Sequence, residues 1–182
     1  MEGVKLTIAL IIAVLLQWTL RSVSEVFAFV DLPLIIVVYA ALQRDSIRAL
    51  LFGTAAGLAV DALSGGLLGA NGFTKTLIAF AVSELARRVY LDNILLRIPV
   101  LASASVLNGL VYFGLHRLLG QVPSGDPLIT GAYSLIGTTI SGTLIYLALD
   151  SIGKGRTRVR RKREVFSVRR QTRRRNPIRL TQ

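Results

Sequence analysis

Phe52-Gly53-Thr54-Ala55-Ala56-Gly57-Leu58-Ala59-Val60-Asp61-Ala62-Leu63-Ser64-Gly65-Gly66-Leu67-Leu68-Gly69 is a run of apolar and small residues with one carboxylate in it. Ala49, Gly53, Gly57 and Asp61 recur every four residues and so share a slowly drifting stripe on one face of a helix. Glycine at that spacing lets a second helix approach closely, which is how helices associate where lipid removes the hydrophobic drive between them. A seam within one protein is the first reading of the stripe, and a ligand-binding cleft the second. Ser64-Gly65-Gly66 then turns the chain back, so that Asn71 and Lys75 return at about the depth of Asp61. A membrane carboxylate costs a few kcal/mol unless partnered. Asp61 is therefore expected to pair with Asn71, Lys75 or the backbone N–H groups that open the next helix. Its functional alternative is a proton or substrate site, but no second membrane carboxylate stands at a relay spacing from it.

The surrounding composition places this hairpin in a bilayer. Hydrophobic residues are 52% of the 182 residues, and only six of them lie beyond Ile152. The remainder is about 58% apolar, above the usual 45–50% of globular domains. Thirteen of the 22 Lys and Arg lie at or beyond Lys154 with a single acid, Glu164, so the formal +12 belongs wholly to the tail. Two regions follow: a transmembrane domain over 1–152 and a basic tail over 153–182. With no cysteine and one histidine, the chain lacks the ligands for thiolate or histidine metal sites and for thiol catalysis. No paired carboxylates, Ser–His pair or phosphate-binding loop appears, so no catalytic residue, metal or cofactor is expected.

A spanning helix needs about 20 mostly apolar residues. Six stretches qualify, over about 4–20, 27–42, 47–63, 67–85, 94–115 and 128–150. The expected fold is an all-α polytopic membrane protein of six transmembrane helices. The first stretch reads as an anchor rather than a cleaved signal peptide, because Glu2 accompanies Lys5 and no small-x-small site closely follows Leu16. Span two is the weakest. Asp31 resembles an N-cap with Pro33 in the first turn, leaving only 32–42 for the helix unless a turn from Val26 precedes it. Arg44, Arg48, Arg87, Arg88 and Arg97 fall on one side of the six spans, against Arg21 and Arg117 on the other. Positive charge favours the cytoplasm, so both termini are expected inside. Ser103, Ser105, Asn108 and Gly109, with Gly137, Thr138, Ser141 and Gly142, offer two further small-residue seams.

The tail carries Arg156, Arg158, Arg160, Arg161, Lys162 and Arg163, and seven more cations, with too few apolar residues to bury a core. Just beneath a bilayer each such side chain is worth about 1 kcal/mol against anionic lipid. Lipid adhesion is the first reading and an acidic protein surface the second. Nucleic acid is not expected, because Phe166 is the only aromatic there to stack on a base.

The central segment, Gly53-x-x-x-Gly57-x-x-x-Asp61-x-Leu63-Ser64-Gly65-Gly66-x-Leu68-Gly69, resembles that of the bacterial rod shape-determining MreD family. Gln17 late in the first span and Tyr39-Ala40-Ala41-Leu42 before a short polar loop extend the likeness over roughly 1–152. Two features depart from it: Asp31 precedes Pro33 where the family places proline first, and the Arg-rich tail exceeds what the family needs. The resemblance implies a non-enzymatic inner-membrane scaffold of the cell-elongation machinery that binds the single-pass protein MreC and helps organise side-wall peptidoglycan synthesis. Further partners would be a SEDS glycosyltransferase, a class B transpeptidase and the actin-like MreB. It also implies a fold similar to the substrate-binding subunits of energy-coupling-factor transporters. Gly53, Gly57, Asp61, Ser64, Gly65, Gly66, Gly69, Asn71 and Lys75 would then be structural positions. A solute-binding subunit for a vitamin-like molecule is the alternative.

Overall fold

A computed structural model describes residues 2–23, 29–65, 67–89, 94–120 and 128–147. Every regular element among them is helical: α1 Glu2–Val23, α2 Leu32–Ala41, α3 Ser46–Ser64, α4 Ala70–Arg88, α5 Ile94–Leu118 and α6 Leu128–Leu147. The chain divides after Thr143 into two units, 1–143 and 144–182. Of the second, only the last turn of α6 is described. The tail, with its six singled-out cations from Arg156 to Arg163, lies outside the described residues, as does the expected boundary at 152.

Four helices, α1, α3, α5 and α6, are long and apolar enough to cross a membrane. Only 22–28% of the membrane-length windows of α1, α3 and α5 is buried within the chain. Ile8, Ile11, Leu51, Leu58, Val106 and Leu110 point outward, an inside-out distribution that lipid would satisfy. The other two differ from expectation. Among its described residues, the second stretch, expected over 27–42, is α-helical over the 10 residues of α2. α4 has 19 residues, but carries Lys75, Glu84, Arg87 and Arg88.

The ends of these helices follow from local chemistry. Asp31 caps α2, its carboxylate accepting from the Leu34 N–H at 2.9 Å, and Pro33 sits where a missing N–H costs nothing. α2 thus begins at Leu32, while Val26, from which the sequence allows a preceding turn, lies outside the described residues. Ten residues make about 15 Å of helix, half a hydrocarbon core. α2 is nevertheless sealed from lipid: Leu34, Ile35, Val37, Val38, Ala40 and Ala41 are wholly buried. A helix that is apolar all round belongs inside a protein, and α2 packs against α1, α3, α4 and α5. Asp45 caps α3 by accepting from the Arg48 N–H at 3.1 Å, and Gly65 ends that helix in the left-handed region, at φ 65°.

Candidate functional site

The α3–α4 hairpin is closed along its whole length. At its open end the Ser83 hydroxyl donates to that of Ser46 at 3.2 Å. Midway, a Cβ added at Gly53 would come within 2.7 Å of the Lys75 carbonyl and 2.9 Å of the Ala79 Cβ. One turn on, a Cβ at Gly57 would sit 2.3 Å from the Asn71 carbonyl oxygen and 2.5 Å from the Gly72 Cα. Both glycines thus face backbone, which cannot yield as a flexible side chain can. The Thr54 and Thr76 hydroxyls share a 2.8 Å hydrogen bond beside this crossing.

Asp61 lies at the turn, 2% exposed. Its Oδ2 accepts from the N–H of Gly69 at 2.9 Å and of Gly72 at 3.0 Å. Its Oδ1 accepts from the Asn71 N–H at 3.2 Å and the Asn71 side-chain amide at 2.8 Å. The N-cap position of α4 is Gly69, which has no side chain with which to cap, at φ 95°. Asp61 supplies the missing acceptor from the preceding helix. Its negative charge also suits the positive end of the α4 dipole. Ser64 donates back to the Asp61 carbonyl at 3.4 Å. Gly65 and Gly69 need their left-handed backbone and meet nothing with an added Cβ. Gly66 lies outside the described residues.

Of the partners expected for Asp61, Asn71 and the backbone N–H groups are present and Lys75 is not. The Lys75 side chain, wholly buried, instead forms an ion pair with Asp31. The reason is a matter of capacity. Four N–H groups already occupy both Asp61 oxygens, whereas Asp31 uses Oδ1 on its own helix and leaves Oδ2 for a cation.

That ion pair is the centre of a second polar cluster, which the sequence reading did not assemble. The Asp31 N–H donates to the Thr138 hydroxyl of α6 at 3.1 Å, and the Leu32 N–H to the Gln17 side-chain oxygen of α1 at 2.9 Å. The Asn108 amide of α5 reaches Asp31 Oδ2 at 3.5 Å, while its own Oδ1 is buried with no hydrogen-bond partner among the described residues. Side chains from α1, α4, α5 and α6 thereby converge on the start of α2. A helix that begins inside a bundle has free N–H groups and no water to meet them. Gln17, Thr138 and Asp31 answer that need. The clue available in the sequence was charge matching, because Asp31, Asp61 and Lys75 are the ionisable residues set well inside the apolar stretches.

Apart from Asn108 Oδ1, each cluster's polar side-chain atoms bond within that cluster. Chemically the arrangement joins helices: carboxylates accept from helix starts, an ammonium neutralises the one that has acceptor capacity left, and glycines admit backbone contact. A family model described as rod shape-determining protein MreD matches residues 2–124, which hold both carboxylates, Lys75 and Asn108. No curated protein and no solved structure matches the chain.

Proposed function

The chain belongs to the rod shape-determining protein MreD family, and from that premise we propose that it is a scaffold of the cell-elongation complex that holds the transmembrane helix of MreC. Membership carries a role in rod shape determination, and with the membrane-length helices it makes the chain a multi-pass inner-membrane protein. The scaffold reading goes further. All six helices traverse or fill the bilayer in an arrangement similar to the substrate-binding subunits of energy-coupling-factor transporters. Both termini lie in the cytoplasm, and the basic tail rests on anionic lipid. Through MreC the protein helps organise the SEDS glycosyltransferase and class B transpeptidase along the side wall, with MreB beneath the membrane. It performs no chemistry of its own.

One observation carries this reading: the ionisable groups deep in the bundle, Asp31, Asp61 and Lys75, are bonded to neighbouring helices. An enzyme or carrier would hold such groups ready for a substrate. Copurification from detergent, with partners identified by mass spectrometry, tests it. MreC is the expected partner, and recovery of transporter ATPase subunits alone would overturn the proposal in favour of solute binding. Cysteines placed in the tail of this cysteine-free chain test the orientation; labelling by an impermeant reagent in intact cells would place the tail outside.

A further inference from the structure

The hairpin carries a charged rim where α3 begins and α4 ends. The contact between the Ser46 and Ser83 hydroxyls holds those two ends level, so residues 42–48 and 83–89 lie along one rim. In them four arginines, Arg44, Arg48, Arg87 and Arg88, stand against two acids, Asp45 and Glu84. The acids do not use up the arginines. Asp45 spends one oxygen on the cap of α3 and meets Arg48 with the other, at 3.4 Å. Glu84 is shared, reaching Arg88 at 3.1 Å and Arg87 at 3.7 Å. A guanidinium has more N–H donors than a shared carboxylate can take. The Arg87 and Arg88 side chains accordingly remain 58% and 77% exposed.

Arg44 adds an independent observation. It is the one non-glycine among the described residues with a positive φ, 67°. Glycine enters that backbone region freely, whereas a Cβ disfavours it. An arginine there keeps a cation at the rim at a conformational cost. From the rim inward, Ile47 and Leu51 point outward one turn apart, 74% and 67% exposed. We propose that this rim binds the phosphate of an anionic phospholipid, whose acyl chain lies along Ile47 and Leu51. Cations that border an apolar stripe suit a lipid better than a free phosphate, and the planar fork of arginine matches phosphate oxygens two at a time. The site is separate from the basic tail, because its cations stand on or beside helices that the glycine seam holds together. It requires only that α3 and α4 lie in a membrane.

The test uses the full chain with its single tryptophan removed, W18F, and a new one placed at the rim, I47W, in vesicles that mix phosphatidylglycerol with phosphatidylcholine. Bromine on a lipid quenches a tryptophan that it touches, so brominating one lipid or the other measures which of them surrounds position 47. In this parent, phosphatidylglycerol is favoured by about tenfold, the scale of one to two surplus cations beside an anionic surface. R87Q/R88Q lowers the preference to about twofold or less, as expected when that surplus is removed. R44G also lowers it, while its unfolding temperature stays level or rises because glycine relieves the backbone. A tail variant, R160Q/R161Q/R163Q, keeps the preference. Equal quenching by the two lipids in the parent would overturn the proposal, and so would a preference that survives in both R87Q/R88Q and R44G. A preference lost in the tail variant would overturn it too, since the attraction would then belong to the tail. Failure of both rim variants to fold would do the same, because the arginines would then be struts of the hairpin.

Discussion

The α3–α4 turn and the start of α2 both bury a carboxylate, and they neutralise it by different means. Asp61 takes four N–H bonds from residues within 11 positions of it in the chain, and no cation among the described residues joins them. Asp31 takes one such bond from its own helix, and a lysine 44 positions away completes it beside the more distant Asn108 amide. The difference lies in what each carboxylate faces. Asp61 looks into the open start of another helix, whose unpaired N–H groups and dipole suit an anion. Asp31 sits at the head of its own helix, among side chains from four others, where a full positive charge balances the oxygen left over. A carboxylate inside a bundle can thus be held by neighbouring backbone or by distant side chains, and the two kinds respond differently to substitution.

The contrast predicts an order of effects. The largest should come from Gly57→Leu, because the first added carbon already falls 2.3 Å from a backbone oxygen. No monodisperse folded protein is expected by size exclusion; recovery of normal yield would mean that the hairpin can open at little cost. Asp31→Ala should come next, at about 3–5 kcal/mol, the cost of stranding a buried partner charge. Asp31→Asn should cost less, since it keeps the cap. Asp61→Ala removes one acceptor group from four neutral donors and should cost about 3 kcal/mol, with Asp61→Asn nearer 1–2. Equilibrium unfolding in detergent ranks these variants. If Asp61→Ala proved costlier than Asp31→Ala, the distinction between neutral donors and a stranded charge would fail.

Gly53→Ala is milder. It presses a methyl against the Lys75 carbonyl and the Ala79 Cβ, and about 1–3 kcal/mol is expected from overpacking. Its informative readout is comparison with Gly57→Ala, where all three near atoms are backbone and the loss should be greater. Asn108→Leu should be smallest, within about 1 kcal/mol, because its bond to Asp31 is long and its oxygen has no partner among the described residues to lose. A large loss there would make Asn108 an essential arm of the Asp31 cluster.

The hairpin was legible in advance because its logic is local. Gly53, Gly57 and Asp61 share a helical face by spacing alone, and the turn at Ser64-Gly65 brings the next helix start back to the same carboxylate. Lys75 was one of three partners offered for Asp61, and it is the one that lies elsewhere. Proximity in sequence suggested Asp61, but the four N–H donors that fill Asp61 become countable only once the start of α4 is placed. Gln17, Asn108 and Thr138 were visible as polar residues in apolar stretches, yet their common destination lies at the head of a helix too short to span a bilayer.

Periodicity, apolar run lengths and the glycine stripe were enough to specify helices, a tight hairpin and a lipid-suited exterior, since each depends on residues a few positions apart. The convergence of α1, α4, α5 and α6 on Asp31 needed the fold. Which buried charge meets which is decided by distances between helices, and no spacing along one helix encodes those distances.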